Sequence, residues 1–212
     1  MKKEIFANSF SEKLNKNFPE YSKYFDFELE IFSEFNTLIF EINKCLILEL
    51  SRASITLTNY LLERLLKLAL INNETGIGPF PIENWNDIFE QPNKKYNSLS
   101  LNNTIKKCKE LKLITEEEEK FLHKTIRKLI RNGFSHADSS AILSKLPDNT
   151  KMFQGSLTNP NEDLKEVNIN QKVIPVFQAI QMENFAKSYA HPYFDFVFNL
   201  IFLIEKRLLN KS

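Results

Sequence analysis

Arg131-Asn132-Gly133-Phe134-Ser135-His136 is the stretch of this chain best equipped for chemistry. It puts a permanent cation five positions before an imidazole. A guanidinium binds phosphate oxygens through a planar fork of donors and keeps its charge at every accessible pH. An imidazole takes and gives protons near neutrality. Cleaving RNA without a metal needs little more than these two groups. The ribose 2′-hydroxyl is an intramolecular nucleophile already close to its phosphate, so the protein must move protons and neutralise developing charge.

An amphipathic helix must carry this pair, and the spacing predicts one over 115–134. Leu122, Ile126, Leu129, Ile130 and Gly133 share one arc, while Lys120, Lys124, Arg127 and Arg131 follow a 4-3-4 spacing on the opposite arc. Thr115 followed by four glutamates is a capping-box start, with acids at the positive end of the helix dipole. The basic arc has two readings: a solvated, dipole-compensating face, or a phosphate track of Lys120, Lys124 and Arg127 leading to His136. Residues five apart on an ideal α-helix point about 140° away from each other. Arg131 and His136 therefore converge only if the helix ends or distorts between them, and Gly133 is the residue that permits this. Ser135 is a further hydrogen-bond donor or a turn serine.

The remaining elements read as helices as well. Four glycines in 212 residues and long 3.6-period apolar runs predict an all-α single domain over 1–212, with the 19 Phe filling helix–helix contacts. The spacing predicts helices over 3–17 (ending before Pro19), 26–50, 51–72, 101–112, 178–188 and 192–209, with a helical turn over 83–89. The break between the second and third lies at Ser51 or Ser54. Residues 1–25 form an N-terminal extension. The segment 146–176, with Pro147, Gly155, Pro160 and Pro175, reads as an irregular insertion containing at most a short hairpin.

The motif and the element order together resemble the HEPN superfamily, whose signature is R-x4-6-H, here in the R-N-x-x-x-H form at Arg131–His136. The resemblance covers roughly 26–145 and 180–209. It implies a helical bundle, an antiparallel pair of long helices before the motif, and a homodimer in which two motif copies face one cleft. It implies a metal-independent endoribonuclease of single-stranded RNA in a toxin or antiviral-defence setting. Arg131 would stabilise charge on the phosphorane, and His136 would serve as general base or acid with its partner-chain copy in the other role. Asn132 would bind phosphate or cap the helix end. The alternative is a HEPN-like helical dimer without catalysis, acting as an RNA-binding or assembly module. Glu63 and Arg64 resemble the polar centre of the family's second long helix, where Glu63 is either an ordinary surface charge or a support to the site. HEPN toxins paired with a minimal nucleotidyltransferase antitoxin usually have Tyr two residues after the histidine. This chain has Asp138 there, a departure that speaks against that particular partnership.

Other chemistries lack local support. No H-E-x-x-H, C-x-x-C, G-x-G-x-x-G or P-loop pattern occurs, so neither a cofactor nor a metal is expected. His123 lies 13 positions from His136, and His191, before Pro192, reads as a helix-start residue. A net charge of +1 leaves RNA attraction to local patches. Cys45 and Cys108 lack ligand-like spacing and read as two buried, reduced thiols of a cytoplasmic protein. The apolar run 194–203 is interrupted by Asp195 and Asn199 and is too short to span a bilayer.

Overall fold

The computed structural model describes residues 2–135, 140–144, 146–155, 158 and 163–211, apart from the side chains of Leu129, Asn132 and Ser135. The protein is mostly helical. In chain order the elements are α1 (Lys2–Tyr21), α2 (Asn36–Ile47), α3 (Ser51–Thr75), α4 (Trp85–Asn97), α5 (Leu101–Glu110), α6 (Glu116–Phe121), a π-helical stretch (Leu122–Arg131), α7 (Asn132–Ser135), α8 (Ser140–Leu143), strands β1 (Thr150–Gln154) and β2 (Lys165–Ile169), and α9 (Pro175–Leu209). The two strands pair antiparallel, Thr150 opposite Ile169 and Gln154 opposite Lys165. The insertion therefore carries the short hairpin its composition allowed.

α3 and α9 are the long central pair, and their packing surface forms the core. Leu61, Leu62, Leu65, Leu66, Ala69 and Leu70 of α3 are buried against Phe194, Val197, Ile201 and Ile204 of α9. Their three- and four-residue spacings keep one apolar stripe of each helix facing the other.

Several expected boundaries move. Residues 26–35 are not the start of a long helix: they run irregularly into a 3-10 turn at Ser33–Phe35 before α2 begins at Asn36. The buried Glu205 carboxylate of α9 accepts Ile31 N–H at 2.7 Å and Phe32 N–H at 2.9 Å. A charge-assisted bond of this kind satisfies backbone donors that a helix would otherwise use. Phe27, Leu29 and Phe32 thus reach the core from an irregular segment.

α9 is a single 35-residue helix where two were expected, and Pro192 lies inside it. His191 is therefore mid-helix and starts nothing. Its Nε2 is 3.0 Å from the Tyr24 hydroxyl, and its Nδ1 is 3.3 Å from Glu20. α1 likewise continues through Pro19 to Tyr21. The stretch after Trp85 is a full 13-residue helix with Pro92 buried inside it, so the polar run through Lys94, Lys95 and Asn97 is helical.

The α2–α3 break falls at Leu48–Leu50, just before Ser51, with Glu49 at φ +58°. A left-handed glutamate costs free energy, which Lys16 at 3.2 Å and Asn17 at 3.4 Å offset by holding its carboxylate. Cys108 is fully buried, and burial pushes its thiol up to about 12. Cys45 is only half-buried, contrary to expectation.

Candidate functional site

The helix carrying the motif starts as its sequence dictates. Thr115 Oγ1 accepts Glu118 N–H at 3.2 Å while Glu118 Oε2 accepts Thr115 N–H at 2.7 Å, closing the capping box. Arg207 of α9 clamps the same Glu118 with two nitrogens at 2.7 and 2.9 Å, which fixes the helix start against α9.

From Leu122 the winding changes. Ten residues, Leu122–Arg131, adopt the wider i→i+5 pattern before α-helical winding resumes at Asn132. Such stretches are rare and recur at functional sites. Each residue of a wider helix turns by less than the 100° of an α-helix, so the 4-3-4 set no longer shares a face. Leu122, Ile126 and Ile130 stay buried as expected, whereas the exposed cations are Lys120, Lys124 and Lys128. Arg127 and Arg131 are rotated inward and half-buried. The proposed track is thus divided: Lys120 pairs with Glu116 at 2.6 Å, Lys124 faces solvent, and Arg127 turns toward the body.

The distortion also lies elsewhere than expected. Gly133 sits within α7 and is not a helix break. Its lack of a side chain serves close packing: a Cβ there would come within 2.6 Å of Ile142 Cδ1 and 3.7 Å of Met182 Cε. Asn132 is the first residue of α7 and Ser135 the last. The side chains of both, and His136 and Asp138 entirely, lie outside the described residues.

Arg131 pairs with α3. Its Nε donates to Glu63 Oε1 of α3 in a short ion pair, with the two side chains 24% and 29% exposed. One turn earlier on α3, Asn59 accepts the Tyr193 hydroxyl of α9 at 2.8 Å. Burial and then the Glu63 carboxylate raise the Tyr193 phenol well above its ordinary value, partly offset by Arg131. The phenol is consequently a neutral donor, and the Asn59–Tyr193 bond ties α3 to α9 one turn of α3 away from the ion pair. Glu63 is therefore not an unpaired surface charge: its carboxylate holds the Arg131 guanidinium through a charge-assisted hydrogen bond. Tyr193 and Asn59 were not expected here. The signal was present in the four-residue spacing of Asn59 and Glu63, a polar pair on one face of a leucine-rich helix.

Compared with known proteins, the chain has no significant match to any family model, curated protein or solved structure. The site therefore rests on its own geometry. Among the described residues no group of three or more His, Cys, Asp or Glu could hold a metal ion, and no helix is long and apolar enough to cross a membrane.

Glu63 acts through Arg131, and its role can be measured as a coupling. Should this site cleave RNA, Glu63→Gln, which keeps the shape and removes the charge, would lower the rate by about 10- to 100-fold through misplacement of the guanidinium. In an Arg131→Ala background the same change is expected to do almost nothing further. An equal loss in both backgrounds would show that Glu63 acts by another route.

His123 gives a separate, pH-linked expectation. Burial, the Arg127 cation and more weakly Lys106 hold its pKa below the ordinary 6.5, with Glu119 at 3.9 Å opposing. Its Nε2 and Arg127 Nε are buried with no hydrogen-bond partner among the described residues. A histidine with a depressed folded-state pKa binds more protons when unfolded. Its contribution to stability is thus present above about pH 6.5 and falls as the pH drops from there through the folded pKa. Melting temperatures from pH 7.5 to 5 should fall less steeply in His123→Gln than in wild type, and parallel slopes would refute this linkage.

Proposed function

We propose that this protein is a metal-independent endoribonuclease of HEPN type that cuts single-stranded RNA through attack of the 2′-hydroxyl. The observation that carries the reading is the Glu63–Arg131 pair, which fixes a guanidinium at the end of the π-helical stretch, five residues before His136. A preset cation costs no reorganisation when charge develops on the phosphorane, and this is where electrostatic catalysis gains most. In this reading His136 exchanges the protons, and its copy in a second chain takes the complementary role across a composite cleft. Asn132 and Ser135 sit in the same short helix as additional phosphate donors. Lys124 and Lys128 supply the exposed positive charge that meets the RNA backbone, with Arg127 closer to the body. A cytoplasmic toxin or defence role, with RNA as the target, is the setting this chemistry suits.

One observation favours a second reading. Arg131 and Lys120 both have acidic partners within the chain, as suits a helical module that binds RNA or assembles without cutting it. Incubation with single-stranded RNA in excess EDTA separates the two. The endoribonuclease leaves 2′,3′-cyclic phosphate ends and spares DNA, which lacks the nucleophile. Binding without cleavage leaves the second reading standing. Cleavage that EDTA abolishes, or that extends to DNA, rejects the proposed mechanism.

A further inference from the structure

α1 is docked at one end only. Lys13 Nζ donates to Leu48 O at 3.3 Å, Asn17 to Ile47 O at 2.8 Å, and Lys16 pairs with Glu49 at 3.2 Å. Those contacts hold the second half of the helix on the α2–α3 corner. Every residue from Lys2 to Glu12 is exposed, so the first half projects as an arm about 16 Å long.

The arm is not polar. Phe6, Phe10, Leu14 and Phe18 recur every four residues along one ridge, and Phe6 is 73% exposed. The ridge continues onto the body, where Phe18 stacks on Phe25 at 5.6 Å and Phe25 meets Phe40 edge-on at 5.5 Å. Phe10, Phe18 and Phe40 are 44%, 45% and 43% exposed. A projecting helix with Asn8, Ser9 and Ser11 has little intrinsic stability, and its aromatic stripe gains free energy only when covered.

We infer that a second copy of this chain covers it, the two α1 arms packing antiparallel with the tip of each on the Phe18–Phe25–Phe40 root of the other. Three observations select this occupant. The first is area. Counting roughly 200 Å² for each fully exposed ring, the ridge offers about 550 Å² of apolar surface per copy. A standard interface buries about 800 Å² per partner, of which roughly 56–65% is non-polar, so the ridge is the size one such interface needs. The second is shape. An i±4n row is a ridge that seats in the grooves of a neighbouring helix, and a two-fold pairing needs only one patch that complements itself. The third is charge. Lys2 and Lys3 outnumber Glu4 at the tip, while at the root the exposed acids Glu20, Asp26 and Glu41 outnumber the cations Lys44, which sits over the Phe40 ring, and Lys23, which Asp195 holds. Antiparallel arms bring these opposite signs together. An anionic membrane is the poorer occupant: four lysines on α1 are nearly balanced by three glutamates, and Lys13 and Lys16 are already engaged with Glu49. This interface is independent of the endoribonuclease reading.

Sedimentation of the full chain at micromolar concentrations tests the inference. Wild type is expected as a dimer of the 24.9 kDa chain. Phe6→Asp/Phe10→Asp is expected to weaken dimerisation at least 100-fold with far-ultraviolet circular dichroism retained, since both side chains are exposed. Lys2→Glu/Lys3→Glu should weaken it about tenfold, and adding Asp26→Lys/Glu41→Lys to that chain should restore it. A wild type that is monomeric up to 100 µM (the weak end of specific association) overturns the inference, as does a double-aspartate variant that self-associates as tightly as wild type. Monomeric wild type pelleting with phosphatidylcholine or phosphatidylglycerol vesicles would assign the arm to a lipid surface instead.

Discussion

His136→Ala is expected to lower the rate of the proposed RNA cleavage by about 10² to 10⁴, the usual loss when a positioned proton-transfer group is removed. Arg131→Ala is expected to cost roughly 3–4 kcal/mol of transition-state stabilisation, as for other preorganised donors to a developing oxyanion. The two should be distinguishable by their pH profiles. With Arg131→Ala the wild-type profile keeps its shape at reduced height, because the proton-transfer groups remain. With His136→Ala the limb near neutrality due to the imidazole disappears. Arg131→Lys should recover little, since an ammonium preserves the charge but not the fork that Glu63 aligns. Both alanine variants should retain wild-type helicity: Arg131 is half-buried beside a carboxylate rather than packed in the core. Cleavage that survives His136→Ala unchanged would remove the motif from the mechanism, whatever the fold.

Helical character and the identity of the motif helix could be read from spacing, because apolar periodicity records which face an element buries. The capping box at Thr115 and the buried set Leu122, Ile126 and Ile130 followed directly. What could not be read was set by partners distant in the chain. Glu205 lies 174 residues from Ile31, yet it takes that segment's backbone donors. No local signal announces that an apolar stretch will be drawn out of a helix. Glu49 turns the chain in a conformation usually left to glycine, so the α2–α3 break had no marker residue. Pro19 and Pro192 looked like helix ends, but tertiary packing carries α1 and α9 through them.

The candidate site divides in the same way. Arg131 was identifiable by residue type, and Glu63 was noticed without its purpose. The pairing of the two depends on how far the helix has turned at Arg131, and that depends on the π-helical stretch. Hydrophobic periodicity distinguishes 3.6 from 2.0 residues per repeat, but ten residues contain too few turns to reveal a wider winding. Such winding redirects Arg127 and Arg131 inward and leaves Lys128 outside, although none of these residues is unusual in a helix.

Phe194→Ala is expected to produce the largest loss of stability among single side chains in the α3–α9 core. Phe194 is fully buried, with its ring 4.9 Å from Tyr24 and 5.9 Å from Phe198. Truncation removes the transfer free energy of the ring and leaves a cavity that a rigid helix pair cannot close, a cost of about 3–5 kcal/mol. It also removes an edge-on partner of Tyr24, whose hydroxyl donates to Asp195 at 2.5 Å and links the 3-10 turn after α1 to α9. The loss should therefore reach beyond α9 and loosen the root of the N-terminal helix. For a protein of this size roughly 2–4 °C of melting temperature accompanies each kcal/mol, so a fall on the order of 10 °C is expected. Phe194→Leu, which keeps most of the volume, should cost less than about 1.5 kcal/mol. Ile5→Ala lies on the exposed arm away from the aromatic ridge and should stay within about 0.5 kcal/mol. Thermal melts of the three variants at one protein concentration test the order. If Phe194→Ala melted with Ile5→Ala, the α3–α9 interface would not be the core that holds Arg131 and Glu63 together.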